Sequence, residues 1–133
     1  MTGGRILDSS AVLDLAVQDT VYGAALLTVA TNRGMTLAVP AAALLEAWAG
    51  STPAGRPFLE LLPQLAAVQV HLVDEATAAG AGVLAATAGQ PTAAAGVAQA
   101  VWLAQASHWP VVTANPDAVL ALDPRIPFES LPS

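Results

Sequence analysis

The 133-residue sequence predicts one α/β domain in which helices cover both faces of a mostly parallel sheet. Short apolar runs alternate with longer stretches of helical periodicity along the whole chain. Strands that alternate with helices need crossover connections, and parallel strands joined in this way carry helices on both faces. No internal repeat, charge run or linker divides residues 1–133, so we expect a single domain.

The first predicted strand and two helices occupy the N-terminal quarter. Residues 5–8 (RILD) are a short apolar run that ends in an acid, which predicts a strand, and the apolar periodicity of residues 11–17 predicts a helix. Asp19 and Thr20 offer N-caps for a second helix over residues 21–32. The arginine and glycine that follow are typical of a helix C-terminus.

The middle of the chain predicts two strands around two helices. Residues 36–39 (TLAV) predict the second strand, and Pro40 suits the first position of a helix that runs up to Gly50. A loop rich in proline and glycine leads to a short helix over residues 58–62. Apolar and polar positions alternate over residues 67–73, which predicts a third strand with one wetter face.

Strands and helices are also predicted to alternate in the C-terminal part of the chain. Acids at its start predict a small-residue helix over residues 74–88, and a further helix is predicted over residues 92–107. Residues 110–123 predict a buried strand that runs directly into a helix. A last apolar segment covers residues 126–131.

The composition argues against several kinds of site. The chain has no cysteine, which removes disulfides, thiol catalysis and cysteine-ligated zinc together. Its two histidines, His71 and His108, are few ligands for a zinc site, and we expect them to be structural or surface residues. Ten acids against four arginines and no lysine give a net charge of −6, which argues against strong non-specific binding of nucleic acid.

The apolar residues predict the location and the assembly of the protein. No stretch reaches the roughly 18 nearly uninterrupted apolar residues of a membrane-spanning helix, and the N-terminus has no apolar run of signal-peptide length. We therefore expect a soluble, cytoplasmic protein. Only 11% of the residues are charged and 55% are hydrophobic, and so apolar a surface predicts a homodimer.

Three polar side chains lie where predicted strands end. Asp8 closes the first strand, Asn115 closes the strand that starts at residue 110, and Glu46 lies two turns into the helix after the second strand. In parallel sheets, sites form outside the carboxyl ends of the strands. We therefore expect these three side chains to converge on one edge of the sheet.

The chain also resembles the PIN-domain family, compact nucleases that include VapC-type toxins of toxin-antitoxin pairs. The resemblance rests on ILDSSAVLDL at the start, VPAAALLEAW in the middle and AQAVWLAQASHWPVVTANPDAVLAL towards the end, and it spans nearly the whole chain. It implies a three-layer α/β/α fold with a central parallel sheet of four or five strands, a homodimer and an antitoxin-like protein partner. It further implies clustered carboxylates that hold Mg²⁺ or Mn²⁺ to hydrolyse RNA.

Carried over residue by residue, the resemblance makes Asp8 the first metal-binding acid and Glu46 the second. Mg²⁺ prefers oxygen ligands, and clustered carboxylates repel one another until a cation compensates them. The third acid would fall where Ala95 or Gly96 stands, and the fourth falls on the neutral Asn115. We therefore predict a degenerate active site.

The sequence leaves two functions open. In the first, a degraded metal site leaves a binding or regulatory module, and whether it still holds Mg²⁺ or Mn²⁺ is left open. In the second, the chain is a Mg²⁺-dependent endoribonuclease with the reduced catalytic and metal-binding set Asp8, Glu46 and Asn115, and Asp117 is a weak substitute. RNA is a partner only in the second case.

Each candidate residue also has an ordinary structural role open to it. Asp8, which two serines follow, suits an N-cap, and Asn115 before Pro116 suits another. Glu46 can be a solvent-facing helix residue. An unrelated nucleotide-binding domain is disfavoured because no glycine-rich phosphate loop follows the first strand.

Overall fold

The computed structural model describes residues 3–17 and 20–132, and within them the chain forms five strands and seven α-helices. The strands are β1 (Gly4–Leu7), β2 (Thr36–Pro40), β3 (Val68–His71), β4 (Val111–Thr113) and β5 (Phe128–Ser130). The helices are α1 (Ser9–Val17), α2 (Val21–Arg33), α3 (Ala41–Ala49), α4 (Arg56–Leu61), α5 (Glu75–Thr87), α6 (Ala95–Ser107) and α7 (Pro116–Leu122). A single 3-10 turn, Leu62–Gln64, follows α4.

The five strands form one parallel sheet in the order β3-β2-β1-β4-β5. Ile6 of the central strand pairs with Ala38 on one side and with Val111 on the other. Strand order proceeds outward from β1 in both directions, so the topological switch point lies between β1 and β4. The predicted three-layer α/β/α class with a parallel sheet of four or five strands is confirmed, and the number is five.

Alternate side chains of β1, β2 and β4 enter separate apolar cores on the two faces of the sheet. Ile6 and Val111 belong to a core that includes residues of α5, α6 and α7. Leu7 and Val112, their chain neighbours, belong to a second core with residues of α1, α2, α3 and α4. Both cores consist largely of alanine, valine and leucine, so helices lie close to the sheet and small residues fill the space.

Some predicted helix boundaries were wrong by a few residues. Pro40 is not the first residue of α3: it still pairs with His71 as the last residue of β2, and its ψ of 132° is extended. The helix predicted from residue 92 begins at Ala95, because the Ala93 N–H closes a turn on the Gln90 carbonyl and Ala94 is still extended. The short helix predicted from residue 58 begins at Arg56.

The predicted start and end of α2 are confirmed where they are described. Thr20 is its N-cap and accepts a hydrogen bond from the Gly23 N–H at 3.4 Å, whereas Asp19, the other predicted cap, lies outside the described residues. Gly34 ends the helix at a φ of 68°, a left-handed conformation that glycine adopts without strain.

In the part of the chain that the structure describes, no single helix is long and apolar enough to cross a membrane.

Candidate functional site

We call the end of the sheet at which β2, β1 and β4 terminate the carboxyl edge. Asp8 follows β1, α3 follows β2, and the loop before α7 follows β4. The three predicted site residues therefore belong to segments that leave neighbouring strands at this edge. Asp8 and Asn115 follow β1 and β4, the two strands that flank the switch point. Glu46 is carried by α3.

Asp8 caps the helix that it precedes. It is buried, with 6% of its surface exposed, and its Oδ1 accepts hydrogen bonds from the Ser10 hydroxyl at 2.5 Å and the Ala11 N–H at 3.0 Å. The Ser10 oxygen in turn accepts the Ala114 N–H at 2.8 Å. Asp8 thus accepts an N–H group of the first turn of α1. Through Ser10 it also connects the loop after β4 to the segment that follows β1.

Glu46 reaches from the middle of α3 to the first turn of α6. Its Oε2 accepts the Gly96 N–H at 3.3 Å, and α6 has no side-chain cap of its own because its N-cap is Ala94. A Cβ on Gly96 would overlap Glu46 Oε1 and would lie 3.0 Å from the Ala43 Cα. Glycine at this position is therefore what lets the carboxylate lie on the helix N-terminus.

Asn115 is the N-cap of α7. Its side chain accepts the Ala118 N–H at 3.4 Å, and its own N–H donates to the Thr113 hydroxyl at 2.9 Å. Pro116 follows in the first helical position, which needs no N–H donor. Both Asn115 and Asp117 are exposed, and Asp117 lies in the first turn of α7.

The same use of acids occurs at other helices. Asp74 caps α5 by accepting the Thr77 N–H at 2.8 Å, a bond that lowers the pKa of this carboxyl. The buried Asp14 of α1 accepts the Thr20 hydroxyl at 2.8 Å beside the first turn of α2. Negative groups are favourable at these positions because helix N-termini carry partial positive charge. Acids in this chain are thus placed repeatedly at helix starts.

The predicted residues lie on segments that leave neighbouring strands at the carboxyl edge, and their convergence on one site stays a prediction. Within residues 3–17 and 20–132, no group of three or more His, Asp or Glu side chains is arranged to hold a metal ion. Asp8 and Glu46 are the two carboxylates of the predicted set, and each accepts a helix N–H. The arrangement can therefore stabilise helix termini, and it offers a cation two carboxylates at most from the predicted set.

Gln99 is a residue of this region that the sequence analysis missed. It is buried, with 2% of its surface exposed, and its Oε1 accepts the Ala42 N–H in the first turn of α3 at 3.0 Å. Its Nε2 donates to the His71 carbonyl at 2.9 Å and to the Leu72 carbonyl at 3.4 Å, at the end of β3. A lone glutamine within an apolar helical stretch was the signal that could have identified it.

Two polar clusters lie away from these residues. Glu129 of β5 accepts the Arg5 Nε at 2.7 Å and the Tyr22 hydroxyl, which ties α2 to the sheet. Burial of the ring and, after it, the hydrogen bond and negative charge of Glu129 raise the pKa of Tyr22 to about 12.

The second cluster lies at the C-terminal ends of α6 and α7. Asp123 accepts hydrogen bonds from the Arg125 side chain at 3.1 Å, the Arg125 N–H at 3.0 Å and the Gln105 amide at 3.0 Å. The bonds from Arg125 and then Gln105 lower the pKa of Asp123 to about 2. The Gln105–Asp123 bond therefore joins α6 to the residue that follows α7.

Comparison with known proteins bears on the fold. No model of a known protein family matches the chain, and no curated protein matches it. Among solved structures, the fold is similar to that of a chain in the crystal structure of VapBC2 from Rickettsia felis bound to a DNA fragment from their promoter. The TM-score is 0.74, the match covers 97% of this chain and 99% of that chain, and the sequences are 14% identical. The two chains share a fold.

Proposed function

We propose that this chain is a PIN-like protein of the VapC type whose metal site is degraded and which acts as a binding or regulatory module. One observation carries the proposal: Glu46 accepts the Gly96 N–H at the start of α6, the place to which the resemblance assigns a third acid. A glycine there supplies a hydrogen-bond donor in place of a metal ligand. The helix terminus thus compensates the Glu46 charge.

The other two candidate residues support the same proposal. Asp8 Oδ1 already accepts two hydrogen bonds, and the neutral Asn115 caps α7. Mg²⁺ is held by oxygen ligands that its own charge attracts, and two carboxylates with one amide attract it less than three or four carboxylates would. Asp8 Oδ1 and Glu46 Oε2 accept helix N–H groups, so a cation would share each carboxylate with a helix start.

An antitoxin-like protein is the partner that we propose. The similar fold of the Rickettsia felis chain occurs in a VapBC2 complex bound to promoter DNA. This chain has a net charge of −6 with four arginines and no lysine, so in a comparable complex the partner would supply the basic surface for DNA. RNA is not a partner in this proposal.

Cleavage of single-stranded RNA in Mn²⁺ tests the loss of catalysis. We expect the purified protein to cleave no more RNA than its Asp8→Ala variant, with or without EDTA. Cleavage that both EDTA and Asp8→Ala abolish would contradict the proposal. It would favour the alternative, a metal-dependent endoribonuclease that uses Asp8, Glu46 and Asn115.

Co-expression tests the proposed partner. The chain is produced together with the small proteins encoded beside it, and complexes are separated by gel filtration. We expect a complex of defined stoichiometry with one basic protein. If each of these proteins elutes separately from the chain, the antitoxin-like partner is wrong.

A further inference from the structure

The helices α3 and α6 contact each other through their N-terminal halves. Ala42 at the start of α3 lies against Gln99 of α6, and Gly96 at the start of α6 lies against Glu46 of α3. Neither helix has a side-chain cap of its own, because the N-caps are Pro40 and Ala94. Each helix start is thus left with N–H groups that need partners from elsewhere.

Each helix supplies that partner to the other. The Gln99 amide oxygen accepts the Ala42 N–H, and the Glu46 carboxylate accepts the Gly96 N–H. Both donors are the second residue of their helix, a position that N-cap side chains usually serve. A local cap would couple a helix only to its own preceding residue, whereas these two bonds couple the helices to each other.

Close packing is required for both bonds at once. Gly96 brings the helix backbones together, since even a methyl group there would lie 3.0 Å from the Ala43 Cα and would overlap the Glu46 carboxylate. Gln99 is buried and also donates to the His71 carbonyl, so its amide cannot turn away from Ala42 without leaving a carbonyl of β3 unpaired. Loss of one bond therefore disturbs the geometry of the other.

We infer that Glu46 and Gln99 form a reciprocal cap that makes the starts of α3 and α6 a single cooperative unit at the carboxyl edge. The two helix starts open together, and Gln99 extends this unit to the end of β3. Glu46 and Gln99 are positioning residues in this inference, which stands whether or not the chain binds a partner or a metal.

A double-mutant cycle with Glu46→Ala and Gln99→Met tests the coupling by urea unfolding. Methionine keeps the length of the Gln99 side chain but makes no hydrogen bonds to Ala42 or His71. We expect the double variant to lose clearly less stability than the two single variants lose together. As a matched control, Thr20→Ala removes the cap of α2, and its effect should add to that of Gln99→Met. Additive losses for Glu46 and Gln99 would overturn the inference.

Amide hydrogen exchange by NMR provides a second readout if Gln99→Met does not fold. Glu46→Ala should accelerate exchange at Gly96 and also at Ala42 by roughly fivefold, the effect of losing one cap. Glu46→Gln keeps an acceptor oxygen and should largely preserve protection at both amides. Faster exchange at Gly96 with no change at Ala42 would show independent caps and would overturn the inference.

Discussion

At the scale of single residues, the acids of the carboxyl edge act on helix starts. Asp8 is open to two roles, ligand and N-cap; its bond to the Ala11 N–H shows the cap, and the ligand role stays a prediction. Glu46 had been open to a solvent-facing role, and its bond to Gly96 shows a contact between helices instead. The local sequence pattern could suggest the cap by Asp8, because Ala11 lies three positions away. It could not suggest the contact of Glu46 with Gly96, because Gly96 lies on another helix.

Substitutions of Asp8 test its role as a cap. Asn caps helices about as well as Asp, so Asp8→Asn should change the free energy of unfolding by less than about 0.5 kcal/mol. Asp8→Ala removes the acceptor for Ser10 and Ala11 and should cost about 1–2 kcal/mol. Urea unfolding at neutral pH measures both. A large loss from Asp8→Asn would mean that the negative charge itself is needed.

Tyr22 is the only tyrosine in the chain, so its ionisation can be followed alone by ultraviolet absorbance. Its pKa is about 12 in the folded protein, against 10.0 for an ordinary tyrosine. A pKa raised by folding means that burial of the neutral Tyr22 ring and, after it, the contact with Glu129 stabilise the fold fully below pH 10.0, and that this stabilisation is lost as the pH rises through about 12. We expect an ionisation midpoint well above 10.0 in the folded protein, and a lower one in Glu129→Gln. A midpoint at the ordinary value would show that Tyr22 is neither buried nor hydrogen-bonded to Glu129 as the structure has it.

At the scale of elements, alternation of apolar runs and helical periodicity was sufficient to predict β1 to β4 and the helices, whereas β5 was predicted only as a last apolar segment. Boundaries were less predictable where two roles compete for one residue. Pro40 suits the first position of a helix, yet its pairing with His71 keeps it in β2. Likewise Gln99 looks like an isolated polar residue in the sequence, because the groups it binds on α3 and β3 are 27 or more positions away.

Two glycine substitutions test how α6 packs on α3. Gly96→Ala should destabilise the protein by about 1 kcal/mol or more, because the clash with Glu46 and Ala43 outweighs the better helix propensity of alanine. Gly82 of α5 is the matched control: a methyl group added there would meet no atom within 4 Å, so Gly82→Ala should stabilise by about 0.5–1 kcal/mol. Thermal and urea unfolding measure both variants. A stabilising Gly96→Ala would show that α3 and α6 can move apart at little cost.

At the scale of the whole molecule, the surface is apolar for a chain of this size. Large hydrophobic side chains are exposed on several elements: Val17, Val21, Val29, Leu45, Leu61, Leu72, Val73, Val83 and Phe128. Only 11% of the residues are charged, which leaves much apolar surface, and large apolar surfaces usually mark contact with another protein. We therefore expect a homodimer in the absence of other partners. Light scattering at tens of micromolar should give about twice the mass of one chain, and a monomer mass that does not change with concentration would contradict this.

Resemblance and fold agree for the whole molecule, but they do not determine its chemistry. A three-layer α/β/α fold can be recognised from the order of strands and helices, since topology depends on the pattern of many residues. Metal binding depends on a few side chains. The resemblance implies an acid at four positions, but the third of these holds Ala95 or Gly96 and the fourth holds Asn115. Fold similarity therefore leaves the activity to be measured.

Calorimetric titration with Mn²⁺ tests most directly whether the carboxyl edge uses its acids as helix caps and holds no cation. The protein is titrated beside Asp8→Asn, which keeps the cap and removes one charge. We expect no saturable binding to either protein. One Mn²⁺ bound per chain, with the binding weakened or lost in Asp8→Asn, would contradict the role of these acids as caps alone and would identify the edge as a working metal site.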